Sequence, residues 1–179
     1  GDATGNTVYL SFDDGPTPKV TDFVLRQLDD FDAKATFFCI GENVKEHPGI
    51  VERVKAAGHA LGNHTMTHPN GWKMPAEDYL QEIASTHAIM PTTMFRPPYG
   101  RITREQRKMM AAQFPGMEVI MWGVIAGDFD TGIDGLLVDE GAHLAGDIGR
   151  DVHHMHHETR LQQLAIGKEA RRGIAEFRT

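Results

Sequence analysis

Short apolar runs alternate with amphipathic stretches along much of the chain, and the pattern predicts strands and helices in turn. Val8 to Phe12 reads as a buried strand, and Ala35 to Ile40, rich in β-branched and aromatic residues, as a second. Between them Thr17 is placed to cap a helix starting at Pro18, with Val20, Val24 and Leu28 on one face. Pro48 to Ala57 predicts a helix with Ile50, Val51 and Val54 inward, and Gly58 stands where a stop belongs. A short run at Ala60-Leu61 follows. Pro75 opens a helix carrying Leu80, Ile83 and Ala84, and Thr93 to Phe95 is strand-like. Thr103 caps a helix running through Met109 and Met110, and Val119 to Trp122 is another strand. Alternation of this kind predicts a parallel sheet covered by helices. Beyond Thr159 the pattern is a polar helix with Leu161, Leu164 and Ile166 as sparse apolar positions, and no strand is visible there to close a barrel.

Polar segments interrupt the pattern where a strand hands over to its loop: Ser11 to Gly15, His64 to His68 and Arg96 to Gly100. In an α/β barrel the loops at the C-terminal strand ends converge on one face, so segments distant in sequence would meet there. With no linker and no fixed-period repeat, residues 1–179 are expected to form one domain.

Composition narrows the class of partner. A formal net charge of -7 argues against nucleic acid, which needs clustered Lys and Arg. No apolar run approaches membrane-spanning length, so no membrane span is expected. Without an initiator Met or a signal-peptide pattern, Gly1 is expected to mark a processed or trimmed start. Cys39, the single cysteine, excludes an internal disulfide and reads as a small core hydrophobe. Four of the ten histidines fall between His153 and His157, a tract that is either a metal binder or a solvated loop.

His64 and His68 are four apart, so a helical turn or a tight loop would aim both at one ion. Taken alone, the pair is more often two unrelated surface residues. Two His plus one Asp from elsewhere, however, leave a coordination position open for water, as a catalytic zinc requires. Asp13-Asp14-Gly15-Pro16 is good turn chemistry. Two neighbouring buried carboxylates repel, and at least one needs a cation to stay ionised. One can therefore serve the metal while the other acts as a base. Arg96 could orient that base, the bland alternative being a surface arginine. Pro97-Pro98 fixes the backbone that presents the Tyr99 amide.

These segments resemble the polysaccharide deacetylases of carbohydrate esterase family 4, the nodulation-type chitooligosaccharide deacetylase domain, whose members carry (T/S)-F-D-D-G, H-(S/T)-x-x-H and R-x-P-(Y/F)-G motifs. The resemblance spans roughly residues 7–130 and includes Ala33 to Phe38 and Gly58 to His64. It implies a deformed (β/α) barrel, with an irregular or incomplete C-terminal part in this chain. It implies that Asp14, His64 and His68 bind a divalent metal, usually zinc with cobalt or nickel able to substitute. Asp13 would be the general base for metal-bound water, Arg96 its tether, and the Tyr99 backbone N–H part of the oxyanion site. The implied reaction is deacetylation of N-acetylglucosamine-containing glycans, chitooligosaccharide or peptidoglycan, at the cell envelope or outside the cell, with the cytoplasm as the alternative. Acetylxylan O-deacetylation would use the same motifs.

The family's fourth motif, a strand-end Trp with an Asp that orients a catalytic His, is matched by Trp122 and Asp128. Its fifth is an apolar strand ending in the general-acid His. Here Gly149 to His157 is polar, with Arg150 and Asp151 at apolar positions. His156 is the best match for the acid and His154 the second. Two further readings stay open: a catalytically impaired homologue that binds carbohydrate or metal, and a non-haem iron oxygenase, since two His and a carboxylate also suit iron(II).

Overall fold

The structure is a computed structural model, and it describes residues 8–123. Five parallel strands form one sheet in the order β1-β2-β3-β4-β5, so neighbours in sequence are neighbours in space. The strands are β1 (Leu10–Gly15), β2 (Ala35–Cys39), β3 (Ala60–Asn63), β4 (Met94–Phe95) and β5 (Glu118–Val119). Helices α1 (Val20–Asp30), α2 (Gly41–Glu46), α3 (Pro48–Ala56), α4 (Ala76–Ile89) and α5 (Arg104–Gln113) lie between them. A parallel sheet with helical crossovers is the expected α/β architecture. Among the described residues no helix is long and apolar enough to cross a membrane.

Alternation along the strands separates core from site. Phe12 and Phe37 stack at 5.2 Å between ring centroids and join Val24, Leu28, Val51 and Val54 of α1 and α3 in one apolar cluster. A second cluster joins Tyr79, Leu80 and Ile83 of α4 to Phe95 and Met110. Ser11 and Asp13, one position either side of Phe12, instead reach Arg96. Period-two alternation puts them on the opposite face from Phe12.

Several boundaries differ from the sequence reading. β1 begins at Leu10, since its partner starts at Ala35 in register with Leu10, and Val8 and Tyr9 remain exposed. The helix expected from Pro18 begins at Val20, because Lys19 sits at φ 66 and breaks the helical path. Thr17 gives its backbone N–H to Thr21 Oγ1 at 2.8 Å and does not cap the helix. Thr103 does cap α5, with Gln106 completing a reciprocal capping box. α2, six residues long, is too short for its periodicity to be legible in sequence. β5 covers two residues in place of the four expected. Its neighbour β4 is equally short, and only Arg96 separates it from the N–H-less Pro97 and Pro98. The stretch around Asp128, the histidines from His153 to His157 and the helix beyond Thr159 lie outside the described residues.

Candidate metal and hydrolytic site

Adjacent strand residues face opposite ways, so Asp13 and Asp14 should diverge. A bulge resolves this: β1 shifts register against β2 between Asp13 and Gly15, and Asp14 takes φ 66. Bulges commonly re-aim a side chain beside a functional site. The Asn43 side-chain amide donates to the Asp14 carbonyl at 2.8 Å and pins the bulge. Asn43 lies on α2, the helix that sequence reasoning missed.

Asp14 Oδ1 lies 3.3 Å from His64 Nε2 and 3.2 Å from His68 Nε2. The three residues each offer one ligand atom within 4.8 Å of the others. His64 Nδ1 sits 2.7 Å from the Arg96 carbonyl oxygen. An oxygen acceptor there requires the proton on Nδ1, which leaves the Nε2 lone pair of a neutral His64 facing Asp14. Asp14 Oδ1 is buried and has no hydrogen-bond partner. Lone pairs converging on one point, with an orphaned carboxylate oxygen among them, fit a cation. Burial pushes the Asp14 carboxyl up, but the closeness of the two imidazoles outweighs it and holds the group well below the usual carboxylate range.

The His pair is aimed by a loop, not by a helical turn. The Thr65 hydroxyl donates to the His64 carbonyl and accepts from the His68 N–H, while the Thr65 N–H goes to Asn63 Oδ1. Glu82 of α4 accepts from the Met66 and Thr67 N–H groups at 3.0 and 2.7 Å. Asp14, Thr65, His68 and Tyr99 all hold left-handed φ between 57 and 68°. Each such residue costs on the order of 1–3 kcal/mol, and such strain clusters at functional sites.

Asp13 is buried beside this group and held at both oxygens. Arg96 donates to Oδ1 at 2.7 Å and the Trp122 indole to Oδ2 at 3.2 Å. Arg96 also donates to Ser11 Oγ and the Ile120 carbonyl, and its guanidinium lies 4.0 Å above the Phe38 ring. Burial lowers the Arg96 pKa from its ordinary value, and the Asp13 charge opposes that shift. The Trp122 ring closes over Gly100, whose φ is +66 and where an added Cβ would come within 2.9 Å of the indole. Tyr99 packs its ring 4.7 Å from that of His68. Cys39 is no rival nucleophile: burial, with the Asp13 charge, pushes its thiol up to about 12. A groove of about 420 Å³ opens from Asp14 and His68 toward α2, lined by Glu42, Asn43, Glu46 and His47 among others.

Asp13, Asp14, His64, His68, Arg96 and Tyr99 are thus brought together; Asp128, His156 and His154 lie outside the described residues. Sequence reasoning missed the indole bond to Asp13, the Asn43 bond to Asp14 and the Glu82 anchor. Trp122 was legible as a strand end and as the tryptophan of the fourth motif, without its partner. Its contact with Asp13 spans 109 residues and has no local signature.

Residues 1–116 match the family described as polysaccharide deacetylase, and the chain belongs to that family. It is 38% identical over 123 residues to a peptidoglycan-N-acetylglucosamine deacetylase of Bacillus cereus, covering 65% of this chain and 44% of that protein. A chitooligosaccharide deacetylase of Rhizobium leguminosarum bv. trifolii is 46% identical over 80 residues, covering 45% of this chain and 37% of that one. The crystal structure of the Bc1960 peptidoglycan N-acetylglucosamine deacetylase superposes with a TM-score of 0.68 at 36% identity, over 72% of this chain and 62% of that chain. The chain therefore spans less than half the length of these two curated relatives.

Proposed function

We propose that this chain is a metal-dependent deacetylase acting on N-acetylglucosamine units of a glycan, at the cell envelope or outside the cell. One observation carries the reading: two adjacent carboxylates are held differently, Asp14 with two imidazoles around one point and Asp13 clamped beside it by Arg96 and Trp122. The relatives, deacetylases of peptidoglycan and of chitooligosaccharide, support the substrate class.

Asp14, His64 and His68 would hold a divalent cation, zinc by donor type, with cobalt or nickel as substitutes. Bound there, the ion would supply Lewis acidity, polarising the acetyl carbonyl and easing deprotonation of water. Asp13 takes the proton from the attacking water, and its two anchors keep the carboxylate from turning away. The Tyr99 N–H, presented by the left-handed turn after Pro97-Pro98, donates to the oxygen on which negative charge develops. His156, oriented by Asp128, protonates the leaving nitrogen, and His154 is the alternative acid. The C–N bond breaks, giving acetate and a free amine.

Acetate release from chitopentaose, peptidoglycan and acetylxylan, before and after chelation and zinc re-addition, tests the reading. Zinc-dependent release from an amide-linked substrate is expected. Preference for acetylxylan would move the substrate to an ester, and a zinc-loaded protein releasing nothing from any of the three would overturn the proposal.

A further inference from the structure

Trp72 stands in solvent a short distance along the chain from the site. It is 62% exposed, with one contact on its backbone and one on its ring. Asn70 Oδ1 accepts the Trp72 backbone N–H at 3.0 Å, and the Arg101 guanidinium lies 3.9 Å from the ring centroid. The surrounding backbone is tightly docked. Gln106 donates to the Gly71 and Met74 carbonyls at 2.7 and 3.0 Å, and a Cβ on Gly71 would come within 2.3 Å of the Arg101 carbonyl. Trp72 is four positions after His68, bounding their Cα atoms to roughly 14 Å apart. Arg101 is two residues from Tyr99, whose ring touches His68. Platform and site are therefore joined by both segments.

Resting on the deacetylase reading, we infer that Trp72 and Arg101 form a glycan subsite in which a sugar ring stacks on the indole while the guanidinium pairs with a carboxylate on that glycan. A pyranose presents C–H groups to an aromatic face, and a ring already in contact with a guanidinium loses less entropy on binding. The guanidinium covers one side of the indole, and a residue 62% exposed retains surface for a sugar. Among the described residues no carboxylate pairs with Arg101, and none of them competes with an anion for its donors. The groove beside Asp14 and His68 would repel that anion, being lined by Asp14, Glu42 and Glu46 and, among the described residues, by no Lys or Arg. The substrate class this selects is an acetylated glycan bearing carboxylates, as muramic acid units do, over neutral chitin.

The test compares chitotetraose with a muramic-acid-containing tetrasaccharide, using the full chain. Fluorescence titration of the metal-free protein reads binding directly, and acetate release with zinc reads KM. The wild type should bind the acidic glycan more tightly. Trp72→Ala should weaken binding of both glycans roughly threefold to tenfold and abolish most of the fluorescence response, whereas Trp72→Phe should retain binding. Arg101→Gln should erase the preference for the acidic glycan. Equal wild-type affinity for the two glycans, or unchanged binding in Trp72→Ala, overturns the subsite. Binding as expected with no acetate released would instead count against the deacetylase reading and leave the subsite standing.

Discussion

Two aspartates one bond apart end up in different chemical settings, and each setting makes a separate prediction. Asp13 is buried with both oxygens bonded, so Asp13→Asn keeps the shape but removes the proposed base. Acetate release should fall by about 10²–10⁴-fold with zinc content unchanged by elemental analysis. Asp14→Ala should instead abolish zinc retention, since it deletes one of three ligand atoms. Trp122→Phe keeps most of the ring over Gly100 and deletes the N–H at Asp13. With about 1 kcal/mol of orientation lost, kcat should drop roughly fivefold, measured beside an unchanged zinc content. The motif residues themselves were legible in sequence. Their anchors were not, because Trp122, Asn43 and Glu82 act across 109, 29 and 15 or 16 residues, and local patterns do not encode such distances.

Strands and helices position these groups through close backbone approach. Gly62 of β3 lies against the Phe38 ring, and a Cβ there would come within 2.2 Å of it. Phe38 in turn supports the Arg96 guanidinium at 4.0 Å. Gly62→Ala should therefore cost about 1–3 kcal/mol by overpacking and also lower activity through Arg96, read by urea melts and acetate release. Helix α5 depends on its capping box, so Thr103→Ala should cost about 1 kcal/mol in the same melts while leaving zinc binding intact. Elements with a full period of pattern, α3, α4, α5 and β2, were visible in the sequence. Where the reading fell short the cause was length or tertiary contact: α2, missed, has six residues, and β5, expected over four residues, extends only where β4 offers partners.

At the scale of the molecule, pH and metal act on stability through buried groups. His59 packs against Phe37 and accepts the Ala35 N–H at Nδ1, so it is held neutral. Burial, with the Lys34 charge, keeps its pKa below the ordinary 6.5. The unfolded chain therefore takes up the proton first as pH falls. Stability is full above about pH 6.5 and is lost as pH drops through the lower folded value. Urea midpoints should fall between about pH 7.5 and about pH 5.5, and His59→Gln should flatten that fall; parallel curves for the two proteins would remove His59 as the cause. Zinc should raise the melting temperature, by about 2.7 kcal/mol of stability at a hundredfold excess over Kd, and Asp14→Ala should abolish the response.

The sequence by itself determined which residue types stand at the strand ends and which way each strand alternates. That sufficed for the parallel α/β class, the three motifs and the ligand types, because period and residue chemistry are local properties. The resemblance implied a division between the neighbours, but only tertiary structure shows how each is held. The bulge at Asp14 turns one carboxylate toward the imidazoles, while Arg96 and Trp122, brought in by β4 and the segment after β5, hold the other. The physical reason is that orientation is set by packing and hydrogen bonds between segments far apart in the chain. Adjacent aspartates carry the same chemistry until the fold gives each a different set of partners.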